Sequence, residues 1–210
     1  DYAEAEWLWY LSGDRNIDKL GELYGKTPEI WKRMADEDGN VNSNYGYQWQ
    51  RNNQIEHVVN LLKYNPDTRQ AAISIYDCKE YKEYTNDTPC TYAVQFTIVH
   101  GRLDMCVTMR SNDLWFGFCN DQYCFSKLQK MISKRLNVEP GVYYHFAHNM
   151  HLIGVTTNLA ERVENQQGYN PSEYEVIMST KDIDLISEKE ISLQKALGYR
   201  VDRQLYKDLY

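Results

Sequence analysis

The stretch NDTPCTYAVQFTIVHGRLDMCVTMRS, Asn86 to Ser111, decides the fold class. A polar loop gives way to AVQFTIV, turns at His100-Gly101, and returns as RLDMCVTMRS. Two runs rich in β-branched and apolar residues around a glycine-containing turn predict a hairpin of long strands. One residue asks for a second reading. Cys90 directly follows Pro89, where loop becomes strand. A buried strand cysteine is common and inert, but a cysteine at a strand mouth can reach a ligand. Its reactivity would need a nearby cation to favour the thiolate. Arg110 and Ser111 end the returning strand, and guanidinium plus hydroxyl suit a phosphate oxygen.

Around this hairpin the chain alternates between helical and extended patterns. AEAEWLWYL is apolar enough for a buried helix, and Gly13 stops it. TPEIWKRMA predicts a short helix with Thr27 as N-cap and Pro28 at its first position. EDGNVNSNYGYQW reads as a Gly/Asn-rich loop. QIEHVVNLLKY places Ile55, Val58, Val59 and Leu62 on one helical face. AAISIYD and GVYYHFAHNMHLI are further strand candidates. QYCFSKLQKMISKRL is a helix, with Leu128, Met131, Ile132 and Leu136 on one face and basic residues opposite. Beyond about Thr156 the chain is polar and less patterned, with a helix near SEKEISLQKAL. The expectation is one α+β domain over residues 1–210, a mixed or antiparallel sheet with helices on one side.

Composition narrows the function. The chain has 210 residues and a formal net charge of −7, so it is not a general nucleic-acid binder. It has five cysteines, an odd number without a CxxC pair. That argues against a disulfide framework or a zinc site and for a reducing, cytoplasmic compartment. No apolar run reaches the roughly 18 residues of a membrane span, and no signal peptide is visible. The chain opens inside an apolar pattern without Met, so residues upstream are expected.

Two more groups stand out. Glu6 lies among Trp7, Leu8 and Trp9; it is either an exposed helix position or a desolvated acid/base with a raised pKa. His145, His148 and His151 are spaced by three, but on a strand His148 faces away from the other two, which argues against a shared metal.

Taken in order, EWLWYLSGDRNI, IWKRMADEDGNVNSNYGYQW, NPDTRQ, TPCT, MRSNDLWFGFCND and HNMHLI resemble thymidylate synthase and its hydroxymethylase relatives over about residues 4–153. The resemblance implies a homodimer packed sheet against sheet. It implies a cysteine thiolate that adds to C6 of a pyrimidine nucleoside monophosphate, with 5,10-methylenetetrahydrofolate as one-carbon donor and no metal. By this match Cys90 is the nucleophile, Glu6 the glutamate that organises proton transfers, and Tyr45 the tyrosine near the nucleophile. Arg110 and Ser111 fall on phosphate ligands, Arg69 on an arginine that reaches the partner's phosphate site, and Asp113 and Gly117 in the following loop. Trp31 and Gly117 fall on the folate side, and His151 on the histidine that contacts the sugar.

The departures carry information too. Arg69-Gln70 stands where the family usually has two arginines, Ile153 replaces a sugar-holding tyrosine, and Met34 replaces a second tryptophan. The upstream phosphate arginine has no counterpart, and RQLYKDLY does not look like the family's apolar tail. Asp121 stands where thymidylate synthases read uracil with asparagine. A carboxylate accepts from N4 of cytosine and opposes O4 of uracil. Asp121, Cys90-Thr91 and NSNYG are similar to phage dCMP hydroxymethylases, in which water captures the methylene intermediate. The expectation is therefore a dCMP hydroxymethylase. The alternatives are a dUMP hydroxymethylase or thymidylate synthase, a CMP hydroxymethylase or cytosine-nucleotide methylase, and an inactive nucleotide-binding module. The competing reading of Asp121 is an N-cap for a helix beginning near Gln122.

Overall fold

The computed structural model describes residues 2–84, 86–114 and 117–151, with isolated residues between 179 and 192. The chain divides into two compact units, Asp1–Met150 and His151–Tyr210. In the second, Asp184, Leu185, Glu188, Ile191 and Ser192 are helical, and Asp182 accepts the backbone N–H groups of Asp184 and Leu185 as a cap would.

The first unit holds six α-helices: α1 (Tyr2–Ser12), α2 (Ile17–Tyr24), α3 (Glu29–Met34), α4 (Tyr45–Gln50), α5 (Gln54–Tyr64) and α6 (Gly117–Leu136). Its strands are β1 (Ala72–Ser74), β2 (Thr91–Val99), β3 (Arg102–Met109), the two-residue β4 (Asn112–Asp113) and β5 (Glu139–Ala147). The sheet order is β1-β2-β3-β5. The first three strands are antiparallel, and β5 pairs parallel to β3. A parallel neighbour needs a long crossover, and α6 supplies it. The architecture is α+β with a mixed open sheet.

The β2–β3 turn forms because His100 and Gly101 both take positive φ, 49° and 74°. A two-residue turn of this hand matches the twist of the strands it joins. The inward residues Val94, Phe96, Leu103, Met105 and Val107 are fully buried. They meet the apolar faces of α5 and α6, including Val58, Val59, Leu62, Phe125, Leu128 and Ile132. On β5 the opposite alternation leaves Val142, Tyr144 and Phe146 at least half exposed.

Several elements depart from the sequence reading. The segment 40–50 is not all loop: Asn44 accepts the Tyr47 N–H at 2.8 Å and caps α4. This helix lies so close to α1 that a Cβ on Gly46 would stand 1.6 Å from the Tyr10 carbonyl oxygen. In α3, Pro28 is the cap and Thr27 is outside it, with no side-chain cap bond. The sequence reading missed α2, although Asn16 caps it through the Asp18 N–H and Gly25 ends it in the left-handed region. AAISIYD is strand only over Ala72–Ser74. The helix expected from Gln122 begins five residues earlier, at Gly117.

Candidate active site

The hairpin's open end builds the first half of the site. Thr91 pairs with Met109, and one step beyond, the Arg110 backbone N–H donates to the Cys90 carbonyl at 2.8 Å. The Arg110 side chain bends back over the same turn. It donates to the carbonyls of Thr88 at 2.8 Å and Pro89 at 3.3 Å. Arg110 thus holds the turn that carries Cys90. Burial opposes that charge, but charge on Cys90 and Tyr76 favours it, and the Arg110 pKa ends above its ordinary value. Cys90 is half-buried. None of the five cysteines is in a disulfide.

Two further loops lock the turn in place. Asp87, buried just before it, accepts the Ser43 N–H at 2.6 Å and the Ser43 hydroxyl at 2.5 Å. Asn42 donates to the Asp87 carbonyl at 2.8 Å. The loop that leads into α4 is therefore tied to the loop that leads into β2, and Tyr45, 5 % exposed, stands between them. Burial comes first in raising the Tyr45 pKa, and Cys90 and Asp121 add to it.

The second half comes from α1 and α6. Glu6 is 5 % exposed. Burial pushes its carboxyl up to about 7, although hydrogen bonds from Tyr2, Cys124 and Tyr10 favour the charged form. Tyr2 donates to one oxygen at 2.7 Å, and the Cys124 thiol lies 3.9 Å from the other. The Trp31 indole N–H in turn donates to the Tyr2 hydroxyl at 2.7 Å. Trp31 also stands edge-on to Trp9, with ring centroids 5.3 Å apart.

Asp121 lies in the second turn of α6 and is buried. It does not cap the helix, so the capping alternative is removed. Burial and then the Glu6 charge push its carboxyl well above the usual range, against a hydrogen bond from Asn112. The shift is toward the neutral acid. Gly117, expected in a loop, is the first residue of α6. A Cβ there would stand 2.3 Å from Asn112 Oδ1, so the helix start and β4 need glycine to approach.

The remaining candidates divide. Ser111 and Asp113 follow β3 directly and are half-buried. Arg69 is exposed and sits elsewhere, on a cavity of about 670 Å³ lined by Leu61, Tyr64, Asn65, Asp67, Thr68 and Gln70. The side chain of His151 lies outside the described residues. His145 bonds Tyr143 and Asn112. Among the described residues, no group of three His, Cys, Asp or Glu could hold a metal ion. No described helix is long and apolar enough to cross a membrane.

The sequence reading missed Tyr2, Asn112 and Tyr143. Tyr2 carries a usable signal, because it stands four residues before Glu6 on one helix. Tyr143 and His145 share a strand face by their spacing of two. Asn112 offers no signal before the fold is known.

A profile of the family described as thymidylate synthase matches residues 2–208. The chain belongs to the thymidylate synthase family. It is 28 % identical over 178 residues to a thymidylate synthase of Fusobacterium nucleatum subsp. nucleatum, covering 82 % of this chain and 63 % of that one. It is 30 % identical to a thymidylate synthase of Corynebacterium aurimucosum, covering 81 % and 64 %. The chain thus spans less than two thirds of the length of these curated relatives. Among solved structures it resembles the thermostable thymidylate synthase A from Bacillus subtilis. The TM-score is 0.59 and the identity 27 %, over 70 % of this chain and 55 % of that one. The hairpin mouth, α1 and the start of α6 are linked electrostatically, since, after burial, Cys90 and Asp121 both raise the Tyr45 pKa and Glu6 raises that of Asp121.

Proposed function

We propose that the chain transfers a one-carbon unit to C5 of a pyrimidine nucleoside monophosphate, and that the base is cytosine, with dCMP as substrate. The observation that carries this reading is the pairing of Cys90 with Arg110 at the hairpin mouth. A thiolate held beside a guanidinium is a soft nucleophile suited to adding to C6 of the ring. The new C–S bond pushes an electron pair onto C5, which can then take an electrophilic carbon. Family membership and the relatives named thymidylate synthase support the reaction class.

The other residues divide the remaining work. Glu6, raised to about 7, is poised to give and take protons near neutral pH. Tyr45 packs beside the nucleophile. Arg110 and Ser111 take phosphate, with Asp113 in the segment behind them, and His151 takes the sugar. The donor 5,10-methylenetetrahydrofolate supplies the one-carbon unit. Trp31 would hold it, since this half-buried indole forms a flat apolar wall linked through Tyr2 to Glu6, with Gly117 at the start of α6 as the second residue on the folate side. Loss of the C5 proton and cleavage of the C–N bond to the departing tetrahydrofolate would leave an exocyclic methylene, water would add to it to give the hydroxymethyl group, and expulsion of the Cys90 sulfur would restore the ring.

Asp121 favours cytosine over uracil, because a cytosine edge offers a donor at N4 and an acceptor at N3, which a fixed carboxyl can complement. The reading takes 1–210 as a single catalytic domain acting as a homodimer. The exposed row Val142, Tyr144 and Phe146 on β5 is the apolar face that sheet-to-sheet packing would cover. The test is direct. The protein is incubated with methylenetetrahydrofolate and each of dCMP, CMP and dUMP, and the products are weighed by mass spectrometry. A gain of one hydroxymethyl group on dCMP alone supports the reading. A product from dUMP alone removes it.

A further inference from the structure

The two oxygens of the Glu6 carboxyl meet neighbours of different freedom. The Tyr2 hydroxyl lies 2.7 Å from Oε1, and the Cys124 sulfur lies 3.9 Å from Oε2. An indole N–H can only donate. The 2.7 Å bond between Trp31 Nε1 and the Tyr2 hydroxyl therefore runs one way, into the phenol oxygen. The Tyr2 hydrogen must point elsewhere, and among the described residues Glu6 is its acceptor.

We propose that Trp31 and Tyr2 together fix Oε1 as an acceptor, so that Glu6 gives and takes its proton through Oε2 alone. The inference deepens the reading of Glu6 as the group that handles protons in one-carbon transfer, and rests on it. With the carboxylate ionised, Tyr2 donates to Oε1. A proton arriving on Oε1 would have to reverse that bond, and the phenol hydrogen would lose its acceptor. A proton arriving on Oε2 leaves the chain from Trp31 through Tyr2 to Oε1 intact. Donation by the indole also makes the phenol a stronger donor, because hydrogen bonds in a chain polarise one another. Burial, and then the Glu6 charge, pushes the Tyr2 pKa up, so the phenol keeps its hydrogen.

The rigid side is held by three helices. The Tyr2 ring of α1 stands edge-on to Tyr24 of α2, 5.2 Å between centroids, and Trp31 of α3 stands edge-on to Trp9. Tyr2 is a positioning residue, and Trp31 acts on Glu6 only through it.

The other side of the carboxyl is permissive. Cys124 is fully buried on α6, and its sulfur also lies 3.8 Å from the Ala3 carbonyl oxygen. A thiol has one hydrogen and a weakly accepting sulfur. It can turn the hydrogen to Oε2 when the carboxylate is charged, and to Ala3 when Oε2 carries the proton. Tyr10, one turn along α1, also favours charged Glu6. No indole holds its hydroxyl among the described residues, so it can donate or accept. Asp121 of α6 is the acid coupled to Glu6, and burial followed by the Glu6 charge keeps it toward its neutral form. Both charge states of Oε2 are thus accommodated, whereas Oε1 has one.

The test reads the carboxyl itself. Glu6 titrates at about 7, so infrared difference spectra between about pH 5 and about pH 9 contain the C=O stretch of its protonated form. The band missing from Glu6→Gln identifies it. If Oε2 holds the proton, the C=O is Oε1 and accepts from Tyr2. The band then lies at low frequency in the wild type and rises in Tyr2→Phe. Trp31→Phe keeps an aromatic wall without an N–H. It should raise the band by a smaller amount, and add nothing in the double variant with Tyr2→Phe. Either variant alone carries the test should the other fail to fold. A merely structural part for these residues would lower rates and leave the band in place. A wild-type band that already lies high, and stays there in Tyr2→Phe or Trp31→Phe, overturns the inference. A band that behaves as expected while Glu6→Gln keeps wild-type turnover overturns the proton-handling reading of Glu6, and the working role of Oε2 with it.

Discussion

Tyr2 donates its hydroxyl to Glu6 Oε1 at 2.7 Å and accepts the Trp31 indole N–H at the same distance. One phenol thus joins the buried acid to the tryptophan assigned to the folate side. The bond favours ionised Glu6, so Tyr2→Phe should move the Glu6 pKa further up from about 7. The shift expected for one neutral donor is roughly half to one unit. The pH profile of kcat/KM reads it, as an alkaline displacement of the limb that belongs to Glu6. A profile that keeps its shape while the rate drops would remove the coupling.

The same carboxyl makes stability depend on pH. The folded-state pKa of Glu6 is about 7, above the ordinary 4.5. The folded chain therefore binds this proton more tightly than the unfolded chain. Stability is full below about 4.5 and is lost as pH rises through about 7. Glu6→Gln removes the loss and should stabilise the protein at pH 8 by roughly 1–3 kcal/mol, with little change at pH 4. Urea unfolding at the two pH values measures it. Asp121 is shifted in the same direction, so some slope should survive the substitution.

Cys90→Ser should abolish turnover, by on the order of 10³-fold or more, and leave nucleotide binding largely intact. The four other cysteines should be replaceable without loss of chemistry. Steady-state rates and calorimetric binding of dCMP separate the two effects. Turnover that survives Cys90→Ser would overturn the mechanism.

Asp121→Asn should lower kcat/KM for dCMP and raise it for dUMP, because an amide can rotate to serve either edge. The helix offers no competing explanation, since Asp121 lies inside α6 and caps nothing. A ratio of the two values that stays unchanged would take the base-reading role from Asp121.

Arg69 is assigned to the partner's phosphate site, and its exposed place on the concavity after α5 leaves it accessible to a second subunit. Heterodimers of Arg69→Ala with Cys90→Ser subunits test this. The only subunit with Cys90 keeps its partner's Arg69, so activity should approach half that of the wild type. Heterodimers as inactive as the doubly substituted homodimer would place the arginine's work in its own subunit.

Much of this fold is legible in local pattern. The β2–β3 hairpin shows in alternation around His100-Gly101, α5 in its 3–4 spacing, and α6 in Leu128 and Ile132. The proposed site is legible where single residues suggest chemistry by type and motif, as with Cys90, Arg110 and Glu6. What escaped depends on contacts across long stretches of chain. Tyr45 begins a helix because Asn44 caps it and Gly46 lets it press on α1, and neither fact is periodic. A cap was the competing reading of Asp121 because α6 was expected to start at the polar Gln122, whereas Gly117 starts it against Asn112. The contact between Asn112 and His145 joins residues far apart in the chain and exists only after β5 returns beside β3.

The hairpin register ties the chemistry to the core. Thr91 faces Met109, and the next pair outward is Cys90 with Arg110. Sliding β2 by one residue along β3 would part those two. It would also turn Val94 and Phe96 out of the interior and bring Gln95 and Ala93 in. No small drift is open between these states, because side chains on a strand face one way or the other. The backbone pairing of Cys90 with Arg110 is therefore set in whole steps by the sheet, and the bulge between Thr91 and Ala93 fixes its offset from the core.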